Sequence, residues 1–586
     1  MEASIWSLGG IGVIALATFG IGFWGARNAR ATSDFLAARR SVREERNAAA
    51  ISGEYLSAAS FLGIAGLVLK DGVDALWYPI GFASGYLALL LFVAAPLRRS
   101  GAYTLPDFAE ERLDSLPLRR LVTVVVVIVG WLYLVPQLQG AGVLLTEITG
   151  VPHWAGVVAV LVIVLASVFT GGMRAVTLVQ AFQYWVKLFA ITVPAFVLFL
   201  VFMNDAGGQQ RALDSPAPPV FRADTAVRFE ADATLRVAEP VWVEVGGNAP
   251  GTVYMRPGNY PVSEGMELRF PAGTPVPVVG DAELDNASWL RPQDDGILGL
   301  VSTYSVIIAT VLGTMGLPHV LVRFYTNPSG NGARRTTLYV LALLGAFYLF
   351  PTIFGLLSRF YVPRLLVTGH TDAAVVLLPQ AMLGSTWAGG LLAAVTAAGA
   401  FAAFLSTSSG LLVSVSGVVA ADLLRGWSVD VRVVLPAVCV VPGLMALGMA
   451  DQDLAQSVGL AFAMAAATFC PMLLLGIWWR GLTAVGAATG LVTGGGLVLL
   501  AVVLNVVLGE TGAWWSVLSW QPAVVAVPTA FLVTWAVSRA TRRRVPPGVS
   551  RVMLRMHAPD RLGFVDEPPS GRKRQAPPSE GRHLRK

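Results

Sequence analysis

The sequence predicts an all-α polytopic membrane protein of about 13 transmembrane helices, with a small extracytoplasmic β-rich insert. Three observations lead to this class. Hydrophobic residues make up 55% of the 586 residues and charged residues only 13%, which is too apolar for a soluble chain of this length. Apolar runs long enough to cross a bilayer recur along most of the chain. One long polar stretch, residues 204–297, interrupts them.

The predicted transmembrane helices are apolar runs of about 20 residues, the length that a bilayer core requires. They lie at 4–25, 46–68, 75–96, 120–147, 153–171, 178–203, 298–324, 336–358, 388–422, 432–450, 455–478, 483–508 and 519–538. Together with the polar stretch they divide the chain into an extra N-terminal transmembrane helix with a basic cytoplasmic loop (1–45), a first five-helix repeat (46–203), an extracytoplasmic insert (204–297), a second five-helix repeat (298–478), two C-terminal transmembrane helices (479–540) and a basic cytoplasmic tail (541–586).

The distribution of arginine predicts the orientation. Loops 26–45, 97–119 and 325–335 and the tail are rich in Arg. The short alternate loops 69–74, 148–152, 451–454 and 509–518 hold Lys70 as their only Lys or Arg. Basic loops stay on the cytoplasmic side of a membrane. We therefore expect a multi-pass plasma-membrane protein with its N-terminus outside and its C-terminus in the cytoplasm. The basic residues indicate contact with the lipid bilayer and no binding of nucleic acid.

The polar stretch 204–297 falls on the predicted outer side. Residues 226–230 and 241–245 alternate apolar and polar side chains, which indicates strands. Turn signals such as Pro257-Gly258 separate such segments. The prediction is a β-rich insert, and a disordered loop is the alternative.

The second helix carries an unusual number of polar groups for a membrane span: Ser52, Gly53, Glu54, Tyr55, Ser57 and Ser60. Polar side chains and helix breakers at membrane depth need a reason. If the helix unwinds near Gly53, its freed carbonyls could coordinate a cation, and a half-helix N-terminus could face an anion. The alternative is a face of small residues that packs against another helix.

Two further segments carry the same kind of signal. Residues 406–409 of the ninth helix are four consecutive hydroxyl residues, whose oxygens suit a hard cation, although such hydroxyls also bond back to carbonyls one turn away. The seventh helix is interrupted by Gly313, Gly316 and Pro318. Interruptions at matching places in two halves of a chain are typical of an inverted-repeat transporter site.

Other polar residues at depth are weaker candidates. Gln137 lies inside the fourth helix and Lys187 inside the sixth. Lys187 could pair with Glu54 or with a substrate carboxylate, or snorkel to the interface, and we favour snorkelling or ion pairing over substrate contact. His319 and Arg323 are expected to serve gating or anchoring.

Several motifs resemble those of the sodium:solute symporter family, and within it the cation/acetate symporter branch. They are residues 33–37 (SDFLA), 53–63, 103–108 (YTLPDF), 171–174 (GGMR) and 313–326. The resemblance implies a LeuT-type core with a 5+5 inverted repeat. It also implies bound Na⁺, held by the carbonyls of Gly53, Leu56 and Ala403 and the hydroxyls of Ser406 and Thr407. The residues expected to line the substrate site are Glu54, Tyr55, Ser57, Ser60, Gln137, Gly313 and Gly316.

These features predict a secondary active, sodium-coupled symporter that imports a small organic solute by alternating access. The favoured solute is a monocarboxylate such as acetate, propionate or pyruvate. A sodium symporter of a sugar, proline or a nucleobase derivative and a transporter-like membrane sensor are the alternatives. An enzyme is not expected, because no zinc-ligand spacing, nucleophile elbow or phosphate-binding loop is present. A small membrane partner subunit is a further expectation.

Overall fold

The structure is a computed structural model, and it describes residues 2–27, 43–207, 209, 217–229, 231–246, 251–292, 296–424, 431–448, 454–508, 518–519 and 521–562. Three sequence features lie outside this description: the basic loop 28–42 with the motif 33–37, the side chains of the motif 171–174, and the tail beyond residue 562.

Helices dominate the described chain. They are α1 (Glu2–Arg27), α2 (Glu44–Tyr55), α3 (Ile64–Asp71), α4 (Trp77–Phe92), α5 (Ala94–Arg99), α6 (Leu105–Leu113), α7 (Leu116–Thr149), α8 (His153–Asn204), α9 (Asn286–Trp289), α10 (Gly296–Thr314), α11 (Pro318–Phe324), α12 (Gly330–Tyr361), α13 (Arg364–Thr368), α14 (Ala374–Leu383), α15 (Trp387–Val418), α16 (Val431–Gly448), α17 (Leu454–Trp478), α18 (Ala484–Leu508), α19 (Ala523–Ala540) and α20 (Val549–His557). The strands are β1 (Thr225–Arg228), β2 (Ala233–Val237), β3 (Val241–Val245), β4 (Gly251–Met255), β5 (Gly258–Val262), β6 (Glu267–Phe270) and β7 (Val278–Val279).

Within the described residues, 10 helical segments are long and apolar enough to cross a membrane. Shorter apolar helices lie at His153–Phe169, Thr371–Leu383 and Val433–Gly448. The prediction of an all-α membrane architecture is confirmed. Two details differ: the predicted runs 153–171 and 178–203 belong to one continuous helix, α8, and the apolar helix at 371–383 was not among the predicted runs.

Local sequence explains where several helices begin. The Thr104 hydroxyl accepts a hydrogen bond from the backbone N–H of Asp107 (3.2 Å) at the start of α6, and Pro106 occupies the first turn. Ser329 caps α12 in the same way through the N–H of Gly332 (3.0 Å). Such caps satisfy backbone donors that a helix start leaves free, and Pro is tolerated there because it lacks one. The motif at 103–108 is therefore, in part, a helix-start signal.

Two membrane helices are interrupted. After α2 ends at Tyr55, a π-helical turn (Ala59–Gly63) leads into α3, and after α10 ends at Thr314, Pro318 starts α11. The C-terminal end of α3 approaches the β insert, and α10 begins directly after the insert. The α2/α3 and α10/α11 pairs therefore run in opposite directions, as an inverted repeat requires.

The insert folds into two antiparallel sheets, of strand order β1-β6-β3-β4 and β5-β2-β7. Its interior is apolar, and Leu235, Val243, Leu268 and Phe270 are fully buried. Alternation along β3 places Val241 and Val243 inward and Trp242 outward, as period-2 patterning predicts. The β-rich insert is confirmed, and the alternative of a disordered loop is wrong for the described residues.

The insert is fastened to the ends of α3 and α12. The guanidinium of Arg359, on α12, donates to the carbonyl of Glu283 (2.8 Å) and to the side-chain oxygen of Asn286 (3.2 Å). The indole N–H of Trp289 donates to the carbonyl of Val68 on α3 (2.7 Å). The insert thus contacts α3, the second half of the first broken helix, directly.

At the opposite end, α20 and the turn after it pack against the bundle. Asp560 accepts from the Arg99 guanidinium (2.8 Å) and from the backbone N–H of Asn331 (3.0 Å). Burial raises the pKa of Asp560, but these donors lower it by more, so that the carboxyl titrates below its ordinary range. The described part of the tail therefore forms helix α20, and the contacts of Asp560 hold the turn after it against the bundle.

Candidate functional site

The break in the first broken helix exposes backbone carbonyls at mid-membrane. The N–H of Ala58 is turned away from the helix and donates to the side-chain oxygen of Gln137 (2.9 Å). The carbonyls of Gly53, Glu54 and Leu56 accept hydrogen bonds from side chains on other helices. Because no water reaches a bilayer core, protein groups must satisfy each of these atoms.

The break lies at residues 56–58, not at Gly53, where the sequence analysis placed it. Gly53 is helical, and a Cβ there would stand 2.2 Å from the carbonyl oxygen of Gln180 on α8. The glycine is therefore needed for the close approach of α2 and α8. This position corrects the prediction, since glycine in a membrane helix serves close packing as readily as unwinding.

The residues predicted to bind sodium come together between α2 and α15. The Ser406 hydroxyl donates to the carbonyls of Gly53 (2.8 Å) and Ala403 (3.2 Å). The Thr407 hydroxyl donates to the carbonyl of Glu54 (2.7 Å). The hydroxyl pair therefore joins the break of the first broken helix to α15.

The ammonium group of Lys187 occupies the centre of this arrangement. Its Nζ donates to the carbonyl oxygens of Gly53 and Leu56 (2.7 Å for Leu56) and to the hydroxyl of Ser406 (2.7 Å). Lys187 is fully buried. It does not snorkel, because it finds its acceptors within the bundle.

The fit of a sodium ion at this point is poor. Three of the five residues predicted to ligate sodium already supply oxygens to an ammonium group. A second full positive charge in contact with Lys187 would be strongly unfavourable in a buried site. The residues present fit the lysine.

Glu54 and Arg323 form a buried ion pair. Arg323 Nε lies 2.8 Å from Glu54 Oε2, and the two side chains are 1% and 2% exposed. Arg323 also donates to the hydroxyl of Thr177 (2.6 Å) and to the side-chain oxygen of Gln180. Because Glu54 lies on α2 and Arg323 on α11, the pair joins the halves of the two broken helices that lie away from the insert. Arg323, not Lys187, is the partner of Glu54.

Aromatic side chains fill the space between the two breaks. The Tyr55 hydroxyl hydrogen-bonds to Thr314 (2.9 Å), at the end of α10. Its ring stands edge-on to Tyr86 (4.7 Å between centroids) and to Phe462 (6.1 Å). The ring of Tyr133 lies 5.8 Å from that of Phe462. All of these side chains are buried, so that the region is closed to both sides of the bundle.

Polar atoms without protein partners face this aromatic region. The ring of His319, on α11, lies 5.0 Å from that of Tyr133, and neither of its nitrogens has a hydrogen-bond partner. The hydroxyl of Tyr86 is also buried without a partner, whereas the hydroxyl of Ser57, at the break, interacts with Tyr133. Buried polar groups are normally paired. Unpaired polar groups of this kind are available to a polar ligand.

Other predicted substrate residues have contacts within the protein. Ser60 hydrogen-bonds to the hydroxyl of Tyr348 (3.1 Å), and Gln137 caps the N–H of Ala58. A Cβ at Gly313 or Gly316 would lie within 2.6 Å of a carbonyl of α17. These contacts give the glycines a packing role, and a part in substrate binding stays a prediction.

Two residues of this site, Lys187 and Arg323, were not predicted to line it. Each is a cation at membrane depth, which is a functional signal by itself. Nothing in the sequence states their partners, because α8 and α11 lie far from α2 along the chain. Gln180 and Thr177 also contact Arg323, but they are uncharged, so the sequence does not mark them as functional.

Comparisons with known proteins agree with this architecture. The model of the sodium:solute symporter family matches residues 35–229 and 276–494, which leaves out the middle of the β insert. The "Monocarboxylic acid transporter" of Corynebacterium glutamicum is 30% identical over an alignment of 529 residues, and the match covers 86% of this chain and 86% of that one.

One solved structure supports the fold. It is a Na⁺-coupled sialic acid symporter in a substrate-bound, outward-open state, with a TM-score of 0.57 and 13% sequence identity. The match covers 90% of this chain and 98% of that one. At this identity the likeness shows the fold alone. The predicted LeuT-type fold is confirmed.

Proposed function

The chain belongs to the sodium:solute symporter family, and from this premise we propose that it is a secondary active symporter that imports a small monocarboxylate. Acetate, propionate and pyruvate are the candidates, carried by alternating access across the plasma membrane. Family membership implies sodium as the coupling ion. The orientation of the termini and a small partner subunit remain predictions.

The observation that carries the substrate class is the charge of the central cluster. Glu54 pairs with Arg323, and Lys187 adds a second buried cation, so that two positive side chains face one negative one. Buried charges require compensation. A substrate carboxylate would supply the missing negative charge, which a sugar would not.

The surroundings suit a small anion. Tyr55, Tyr86, Tyr133 and Phe462 wall the space between the breaks, and the hydroxyl of Tyr86, which is buried without a partner, is available as a donor. Ligand sites commonly combine apolar walls with a few polar groups that fix orientation. The name of the Corynebacterium relative points to the same substrate class.

The broken helices supply the moving parts. The ion pair of Glu54 and Arg323 holds the inner halves α2 and α11 together, and the Asn47 side chain adds a hydrogen bond to the carbonyl of Arg323 (3.2 Å). We expect these contacts to close the end of the bundle away from the insert. Opening at that end requires α2 and α11 to separate or to move as a pair.

Competition for uptake tests the substrate class. Cells that produce the chain should take up labelled pyruvate faster than cells with an empty vector. Excess unlabelled acetate or propionate should suppress that uptake, and glucose or proline should not. Competition by glucose or proline, with none by any monocarboxylate, would overturn the proposal.

A further inference from the structure

The cation site between α2 and α15 is filled by a side chain. We propose that the ammonium group of Lys187 takes the place of sodium there, so that the coupling ion at this position is a proton carried on Lys187 Nζ. This inference rests on the proposed symport function. It names the coupling ion of the same site, and it departs from the sodium coupling that the family implies.

The contacts of Lys187 match the chemistry of a protonated amine. An ammonium group has three N–H donors and no acceptor, whereas a neutral amine has two donors and a lone pair. Here Nζ has three acceptors, the carbonyls of Gly53 and Leu56 and the hydroxyl of Ser406. The Ser406 hydroxyl uses its own hydrogen toward the carbonyls of Gly53 and Ala403. The protonated lysine therefore satisfies every oxygen that it touches.

Among the charged groups around the site, Lys187 is the one that can gain or lose a proton. At mid-membrane the charged side chains on the described helices packed around α8 are Glu54 on α2 and Arg323 on α11, and these pair with each other. Charged residues on α1, α7, α12 and α16 lie near the helix ends, and α14 and α15 have none. Further buried titratable side chains in this part of the described bundle are His319, Tyr55, Tyr86, Tyr133, Tyr184 and Tyr348. Arginine keeps its proton, whereas a buried lysine changes its protonation readily.

Protonation of Lys187 would couple charge to the movement of α2. With three donors, the ammonium hydrogen-bonds both to the break of α2, at Gly53 and Leu56, and to α15, at Ser406. When the proton leaves Nζ for the cytoplasm, the resulting amine has one donor fewer and faces an oxygen with its lone pair. The contact between the break and α15 weakens, which frees α2 to move. Reprotonation from the outer side restores the contact.

Thermal unfolding of the purified full-length chain tests the site without any substrate. A ligand that binds only the folded state raises the unfolding midpoint. We expect the wild-type midpoint to be the same in sodium chloride and in choline chloride. Lys187→Ala, which removes the ammonium and leaves the oxygens, should gain a sodium-dependent rise. A sodium-dependent rise in the wild type that Ser406→Ala abolishes would overturn the proposal.

Transport in proteoliposomes tests the proton. With labelled pyruvate and sodium-free buffers, an inward proton gradient should drive accumulation by the wild type. Protein-free liposomes measure passive entry of the protonated acid. Lys187→Met should reduce gradient-driven accumulation by a larger factor than it reduces exchange of internal for external pyruvate. Lys70→Met removes a lysine that pairs with Asp281 of the insert (2.5 Å), outside this site, and it should behave as the wild type.

The outcomes separate this inference from the substrate proposal. Accumulation by the wild type that requires sodium and ignores the proton gradient would overturn the role of Lys187. Equal loss of accumulation and exchange in Lys187→Met would show that the lysine is only structural, which would also overturn it. Failure to transport any monocarboxylate would instead contradict the proposed function, and the thermal measurement would still decide what occupies the cation site.

Discussion

Replacing Glu54 by Gln should destabilise the protein strongly, because it leaves the guanidinium of Arg323 buried without its counter-charge. The ion pair is 2.8 Å long, and neither side chain is more than 2% exposed. Breaking a buried pair from one side typically costs about 3–5 kcal/mol. Arg323 keeps two neutral acceptors, Thr177 and Gln180, so we expect the lower end of that range, about 3 kcal/mol.

The double variant Glu54→Gln/Arg323→Gln should be less destabilised than the sum of the two single variants. With both charges gone, no guanidinium is left buried without its counter-charge, and the two amides can hydrogen-bond to each other. We expect a coupling free energy of about 2–3 kcal/mol, at the upper end of values for residues in direct contact. Equilibrium unfolding in mixed micelles measures all three variants against the wild type.

An exposed pair of the same charge type is the matched control. Arg335 lies 3.9 Å from Glu44, and their side chains are 71% and 24% exposed. Solvent screens such a pair, so Glu44→Gln should change the free energy of unfolding by less than about 0.5 kcal/mol. The reasoning fails if Glu54→Gln costs no more than Glu44→Gln, or if the effects at Glu54 and Arg323 are additive.

Three further predictions concern packing, orientation and pH. Gly53→Ala should reduce both stability and uptake, because its Cβ would stand 2.2 Å from the carbonyl oxygen of Gln180. Thermal unfolding and uptake assays of the purified variant measure these effects, and unchanged values would refute the close contact. A membrane-impermeant thiol reagent added to intact cells should label Ser263→Cys and miss Ser570→Cys, and the reverse pattern would invert the predicted orientation. The pKa of Asp560 is lower in the folded than in the unfolded protein, so its carboxylate stabilises the fold above the unfolded pKa. This stabilisation is lost as the pH falls through the folded pKa, and protease cleavage near α20 should therefore increase only in strongly acidic buffer. Asp560→Asn should remove that pH dependence.

The sequence predicted the fold well because its main signals are local. Apolar length identifies a membrane helix without knowledge of its neighbours, and period-2 alternation identified β3 inside the insert. Pro318 and the glycines before it marked the break between α10 and α11. The helix at 371–383 was missed because it is too short to resemble a span.

The site was predicted less completely because its geometry depends on residues distant in sequence. The hydroxyls of Ser406 and Thr407 lie beside the first break, where Lys187 contacts Ser406 and two of the carbonyls. Whether a buried lysine snorkels or turns inward depends on acceptors supplied by other helices, and no sequence pattern in α8 states where those lie. Likewise, the sequence does not show whether Gly53 breaks its helix or allows another helix to pack closely against it.

Accumulation of labelled pyruvate in proteoliposomes is the measurement that tests the proposed function most directly. With the purified chain as the only protein, an imposed inward cation gradient should raise internal pyruvate above the external concentration. Collapsing the gradient with an ionophore should return it to equilibrium, and acetate or propionate should compete. Pyruvate, acetate and propionate that all stay at the level of protein-free liposomes under both sodium and proton gradients would contradict the assignment as a monocarboxylate symporter.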